Sequence, residues 1–194
     1  RRIVIPNSVT IIDSCAFSLC SKLTSVSLPS GLEKISLSCF MNCESLESIT
    51  IPEGVTRING GAFRNCSSLK SISVPSTVTN MEPYALAYCT SLRTVELPNN
   101  ITELSVRTFV GSKKAVIYVE GDTDTETLLE DEKISHCIAY GGGIALFCRR
   151  VNFTVSEVHI PSVLFGHTVT GISPHCFETV GGLEVITIPE TVIN

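Results

Sequence analysis

The sequence predicts a mainly β solenoid, in which parallel strands from successive coils stack on one another, interrupted by one short helix and a hairpin. Two observations predict it. Prolines close a strand-like run at Pro6, Pro29, Pro52, Pro75 and Pro98, and the interval between them never varies. Within each run, apolar residues alternate with Ser and Thr, as in a strand buried on one face only. A fixed period of this kind marks units that stack in a row, each covering the apolar face of the next.

Residues 46–68, LESITIPEGVTRINGGAFRNCSS, show the unit most fully. Leu46, Ile49 and Ile51 form the strand, and Pro52 ends it because proline lacks the N–H a ladder needs. Val55 and Ile58 follow as a second short extended run on the opposite side. Ala62-Phe63-x-x-Cys66 reads as a tight turn that inserts its ring into the core before Leu69 begins the next coil. Seven inward columns run down the chain. In the strand they are Leu23, Leu46, Leu69, Leu92, then Val26, Ile49, Ile72, Val95, then Leu28, Ile51, Val74, Leu97. After proline come Val9, Leu32, Val55, Val78, Ile101 and then Ile12, Ile35, Ile58, Met81, Leu104. The turn supplies Phe17, Phe40, Phe63, Leu86, Phe109 and finally Cys20, Cys43, Cys66, Cys89. The apolar burial of one coil does not offset the entropy of ordering it, so stability grows with the number of coils.

Composition bounds the rest. The chain of 194 residues is 43% hydrophobic and 17% charged, too apolar for disorder. No apolar run reaches the roughly 18 residues of a membrane span. The template is entered partway through at Arg1–Pro6 and left partway through at Ile188–Asn194, so the chain reads as a piece of a longer protein. The net charge of −5 is concentrated in residues 120–133, which hold seven acids (Glu120, Asp122, Asp124, Glu126, Glu130, Asp131, Glu132) and Lys133. The remainder carries 12 acids and 13 bases, and offers no broad basic field for nucleic acid.

The pattern I-P-x-x-V-T-x-I-x-x-x-A-F-x-x-C-x-x-L, as it stands at Ile51-Pro52, Val55-Thr56, Ile58, Ala62-Phe63, Cys66 and Leu69, resembles the BspA-like class of leucine-rich repeats. The likeness covers residues 3–119 closely and 158–193 again. It departs from the commoner leucine-rich consensus, where Asn or Cys sits three residues past the strand; here proline follows directly. The resemblance implies a curved leucine-rich-repeat solenoid with parallel strands. It also implies a cell-surface or secreted protein of anaerobic bacteria or parasitic protists that adheres to host or partner proteins.

The period breaks after the fifth coil, residues 92–114. Ser112 stands in the Cys column, Ala115 in the Leu column, and Val116-Ile117-Tyr118-Val119 runs into Glu120 where proline is due. Thr123-Asp124-Thr125-Glu126 has the spacing of a capping box, with Leu128, Leu129 and Ile134 as a weak apolar face, so 123–135 reads as a short acidic helix over one end of the stack. Cys137-Ile138-Ala139-Tyr140, three glycines, and Ile144-Ala145-Leu146-Phe147 read as strand, turn, strand. Val158-His159-Ile160-Pro161 re-enters the template. The coil from Pro161 to Pro189 is longer than the others, its extra length placed in Ser162–His167 with Gly166-His167 as a hairpin tip. Leu183, Ile186 and Ile188 then restore the strand, and Phe177 the ring. Two blocks result: 1–136, with an acidic helical end at about 113–136, and 137–194 with the hairpin junction.

Chemistry is sparse. Cys20, Cys43, Cys66 and Cys89 occupy one inward column, where free cysteine acts as a small buried hydrophobe and parallel Cβ vectors oppose disulfides. Cys39 and Cys176 take the small slot before phenylalanine, and Cys137 and Cys148 flank the hairpin as the one pair that could close. His136-Cys137 and His175-Cys176 are sequence neighbours, and adjacent residues on a strand point to opposite faces, which disfavours a thiolate–imidazole pair. No zinc spacing is present. A calcium loop counted from Asp122 fails at Thr127, where glycine is required, and at Lys133, where a bidentate Glu belongs.

These readings favour a non-enzymatic protein-binding or adhesion module with no cofactor, no nucleic-acid partner and no membrane insertion. Its ligand would be a protein, with host and extracellular-matrix proteins as candidates. Binding residues would lie on the outer strand face (Glu47, Lys70, Arg93, Thr94, Glu96) and at the irregular features (Tyr140, His167). A structural spacer presenting another domain is the alternative, and a Cys/His enzyme at residues 136–177 a further one.

Overall fold

The computed structural model describes residues 1–120, 125, 129, 136–140, 144–149, 156–173, 176–177 and 183–192; for 120, 136–140 and 144–149 it describes the backbone alone. The runs before proline form β1 (Arg2–Val4), β2 (Ser25–Ser27), β4 (Ser48–Ile49), β6 (Ser71–Ser73) and β8 (Thr94–Leu97). The runs after proline form β3 (Lys34–Ile35), β5 (Arg57–Ile58) and β7 (Asn80–Met81). Within each row the paired strands run parallel, and each residue meets the one a full repeat further on, such as Ser25↔Ser48 and Ile35↔Ile58; β4 and β6 fall in separate sheets. The template therefore fixes register as well as strand identity. The chain is a mainly β solenoid of about five turns, as the proline period predicts.

The third side of each coil is a turn, and it has its own ladder. Phe17, Phe40, Phe63 and Leu86 donate their N–H groups to the carbonyls of Cys39, Ala62, Ala85 and Thr108 in the next coil, at 2.8 to 3.0 Å. The Phe17, Phe40 and Phe63 rings stack almost parallel, 5.4 and 5.6 Å apart. Leu46, Ile49, Ile51, Val55, Ile58, Phe63, Cys66 and Leu69 are all buried, as are Phe40, Cys43 and Cys89. Phe17 and Cys20, in the first coil, and Phe109 are only half-buried.

The cysteine column does more than fill space. The thiols of Cys43, Cys66 and Cys89 donate to the carbonyls of Phe17, Phe40 and Phe63, at 3.1 to 3.2 Å. Ser112, a lapse in the pattern by residue type alone, donates its hydroxyl to the Leu86 carbonyl at 2.6 Å. The column therefore selects a small side chain with a donor. Burial pushes the Cys43 thiol up to about 11 and the Cys89 thiol up to about 12, so both are protonated and unreactive.

Beyond coil five the strand ladder continues into β9 (Val116–Glu120) and β10 (His136–Tyr140), both parallel to it. The chain then reverses. β11 (Ile144–Arg149) is antiparallel to β10, as the two strands of the strand-turn-strand reading require; the three glycines between them lie outside the described residues. β12 (Glu157–His159) pairs with β15 (Val185–Thr187) in parallel, one coil on. β13 (Val163–Leu164) and β14 (His167–Ile172) make a hairpin whose edge joins β11. Its tip lies one residue earlier than the Gly166-His167 reading. Phe165 (φ 53°) and Gly166 (φ 77°) form the two-residue loop, and His167 already pairs with Leu164.

A single seven-stranded sheet thus runs across the expected 136/137 boundary. The cores stay distinct, and β9 divides them. Ile117 and Val119 belong to the first core, whereas Val116 and Tyr118 pack with Val158, Ile160, Leu164, Val169 and Cys176. The reading of 123–135 as an acidic helix falls mostly outside the described residues. Of that stretch Thr125 and Leu129 are described; both are helical and buried. Thr125 takes an N–H bond from Ile101 and donates to the Pro98 carbonyl, at 2.7 and 2.8 Å, replacing the direct turn bond seen at Val55–Pro52 and Val78–Pro75.

Candidate functional site

Alternation in the strands sends Ser, Thr and charged residues to the outer face of the sheet, and that face is divided in two. Over β2, β4 and β6 it is open: Ser48, Thr50, Ser71 and Ser73 are exposed. Glu47 and Lys70 form an exposed pair at 2.9 Å, and this Lys70 contact holds the Glu47 carboxyl below its ordinary range. A shallow groove at the start of this face is lined by Arg2, Asn7, Ser25, Ser27, Ser30 and Thr50.

Over β8 the face is covered by the second block. Arg93 reaches Glu157 at 3.4 Å, and the other oxygen of Glu157 meets His159 at 2.8 Å. The His159 contact first, and Arg93 next, hold the Glu157 carboxyl below its ordinary range. Glu96 accepts from the Ser73 hydroxyl at 3.0 Å and from the Phe165 N–H at 3.3 Å. Arg93, Thr94 and Glu96 are half-buried. The structure therefore separates the candidate binding residues: Glu47 and Lys70 on the open face, Arg93, Thr94 and Glu96 beside the second block, and His167 exposed at the hairpin. Tyr140 ends β10, and its side chain lies outside the description.

Glu157–His159 is an acid–histidine contact of the kind an enzyme at residues 136–177 would use. Nucleophilic chemistry also needs a thiol or hydroxyl on the imidazole. Among the described residues none shares a hydrogen bond with His159, and Glu157 is occupied by the cross-block pair. No group of three or more His, Cys, Asp or Glu side chains among the described residues is placed to hold a metal ion. In backbone register Cys137 stands opposite Cys148.

The turn side carries a second feature, one that the strand faces do not disclose. Two rows there take left-handed backbone: Cys15, Ser38, Gly61, Tyr84 in one, and Leu19, Asn42, Asn65, Tyr88, Gly111 in the other. In this conformation these residues extend the coil-to-coil ladder, as in the N–H bonds of Asn65 to Ala87 and Tyr88 to Val110, both 2.8 Å. Arg64 places its guanidinium carbon 5.7 Å from the Tyr84 ring centroid and 5.4 Å from that of Tyr88. The sequence does carry a signal for it: two tyrosines stand in columns otherwise held mainly by small residues.

A family model described as BspA type leucine rich repeat region matches six copies over residues 1–116. A leucine rich repeat protein of T. pallidum is similar at 29% identity and a TM-score of 0.58, over 62% of this chain and 58% of that one. A leucine rich cell surface protein from Faecalibacterium prausnitzii A2-165 is similar at 28% identity and a TM-score of 0.62, over 66% of this chain and 34% of that one. A leucine-rich repeat protein from Bacteroides ovatus shares the fold over 98% of this chain and 61% of its own, at 21% identity and a TM-score of 0.55. The chain thus spans 58% and 34% of the length of the first two relatives. No curated protein matches it.

Proposed function

This chain belongs to the BspA type leucine rich repeat family, and from that premise we propose that it is a non-enzymatic protein-binding or adhesion module of a surface or secreted protein. One observation carries the reading. The fixed residues of the repeat are spent on its interior, and the outer face over β2, β4 and β6 is left open with a groove at its start. Extended faces of this kind are how stacked repeats meet partners. Glu47 and Lys70 are the charged candidates on that open face, with His167 at the hairpin. The surface location is supported by the Faecalibacterium relative, which is named a cell surface protein. Among the described residues no helix is long and apolar enough to cross a membrane.

The test is saturable binding of the intact chain to a panel of immobilised host-surface and extracellular-matrix proteins. Saturable binding to at least one member, weakened by charge reversal at Lys70, is expected. A broad panel with no saturable binding would favour the spacer, which the Ser- and Thr-rich composition of the open face fits.

A further inference from the structure

We propose that the ridge formed by Arg64, Tyr84 and Tyr88 is a docking surface for an acidic segment of a partner protein. The proposal rests on the protein-binding reading and names a surface and a partner charge for it.

Backbone strain is the first argument. Left-handed backbone is costly for a bulky residue; coils two and three meet that demand with Ser38, Gly61, Asn42 and Asn65, and in coil one Leu19 holds it with its side chain exposed. Tyr84 and Tyr88 hold the same conformation at φ 66° and 58° while leaving 37% and 42% of their surfaces exposed. Packing does not require large rings there, and such strain is characteristically kept where a surface is used.

Rigidity is the second. Arg64 lies against both rings from one coil, and the next coil closes on Tyr88 from the other side. A Cβ added at Gly111 would fall 2.4 Å from a Tyr88 ring carbon. The group is held before any partner arrives, which lowers the entropic cost of binding. Tyrosine and arginine are also the residues in which binding energy concentrates.

Charge gives the partner its chemistry. Among the described residues Arg64 has no carboxylate partner, and neither does Arg107, one coil on from Tyr84. The nearby acid, Glu82, is taken by Arg57 at 3.7 Å and by the Gly60 N–H at 2.8 Å. On the sheet face Lys70 and Arg93 are paired within the chain, and Arg2, unpaired among the described residues, has no aromatic ring in the groove it lines. Unpaired guanidinium groups beside exposed rings attract carboxylates and orient them.

The neighbouring coil supplies the test variant. Arg64→Met, Tyr84→Ser and Tyr88→Asn put into the ridge the residues that Met41, Ser38 and Asn42 place in the same columns of coil two. The probes are an array of acidic, neutral and basic synthetic peptides, vesicles containing anionic phospholipid, and heparin. We expect the wild type to select acidic peptides in a salt-sensitive way. The triple variant should bind them at least about tenfold more weakly, with an unchanged or higher melting temperature. If the triple variant misfolds, Tyr88→Asn alone carries the same test, since Asn tolerates left-handed backbone. Acidic peptides bound equally by wild type and variant would overturn the ridge as the site. So would an absence of acidic selection by the wild type, and saturable binding to the protein panel would still stand by itself. Tighter ridge-dependent binding to vesicles or heparin than to any peptide would overturn the protein partner.

Discussion

β6 and β9 occupy the same strand position, two coils apart, and treat their two faces in opposite ways. β6 reads Ser71-Ile72-Ser73, with only Ile72 buried. β9 begins Val116-Ile117-Tyr118-Val119, and all four are buried. One strand has a core beneath it and solvent above; the other is clamped between two cores. A strand that alternates keeps a polar outer face, as β6 and β8 do, and a continuous apolar run declares that something will be laid on top. The β9 run marks where the second block docks, which is why Arg93, Thr94 and Glu96 are drawn into intrachain contacts while Glu47 and Lys70 stay open.

The largest expected effect breaks the interior of a regular coil. Cys66→Arg places an unpaired charge in a sealed column and should cost about 3–5 kcal/mol in a denaturant melt. Cys66→Ser keeps the donor, as Ser112 does, and should cost about 1 kcal/mol. Native Cys66 should resist thiol reagents that label exposed Cys15 at once. Fast labelling of Cys66 would refute the column.

Tyr118→Ala should cost about 3–5 kcal/mol, as large core truncations do, whereas Ser71→Ala should stay within about 0.5 kcal/mol. The Tyr118 hydroxyl is buried with no hydrogen-bond partner among the described residues, so Tyr118→Phe should leave stability unchanged or raise it. Equal losses from Tyr118→Ala and Ser71→Ala would mean that β9 has a free face after all.

Smaller effects follow at the edges of the second block. Because the Glu157 carboxyl is held below its ordinary range, the cross-block contact is in force above the unfolded carboxylate value of about 4.3 and is lost as pH falls through the folded value. Glu157→Gln should therefore lose less stability than wild type on going from neutral to acidic pH, and the difference should shrink in high salt. The smallest readout is a cross-link. Opposite residues of an antiparallel pair lie about 4.5–5.5 Å apart at Cα, within disulfide range. Mild oxidation of the native chain should join Cys137 to Cys148 and leave Cys43, Cys66 and Cys89 uncoupled, as peptide mapping without reductant would read.

Much of the fold is legible in the sequence. The prolines set strand ends and register, and the columns name the buried residues, because a stacked coil makes the same contacts again at every repeat. Ser112 reads as decay of the pattern because periodicity records side-chain class and misses the one hydrogen bond that Ser and Cys share. The ridge is only half legible: two tyrosines stand out in columns held mainly by small residues, but neither an alternating nor a helical period marks a left-handed position.

What the sequence by itself determined, then, is every feature that the repeat makes local: which residues face inward, where each strand stops, and which coil pairs with which. What only the tertiary structure decided is how surfaces meet across distance. Phe165 and Glu157 close over Glu96 and Arg93 from more than sixty positions away, and Arg64 finds Tyr84 and Tyr88 one coil on. Periodic burial is written into neighbouring residues, but the exposure of a face depends on what else the chain folds against it.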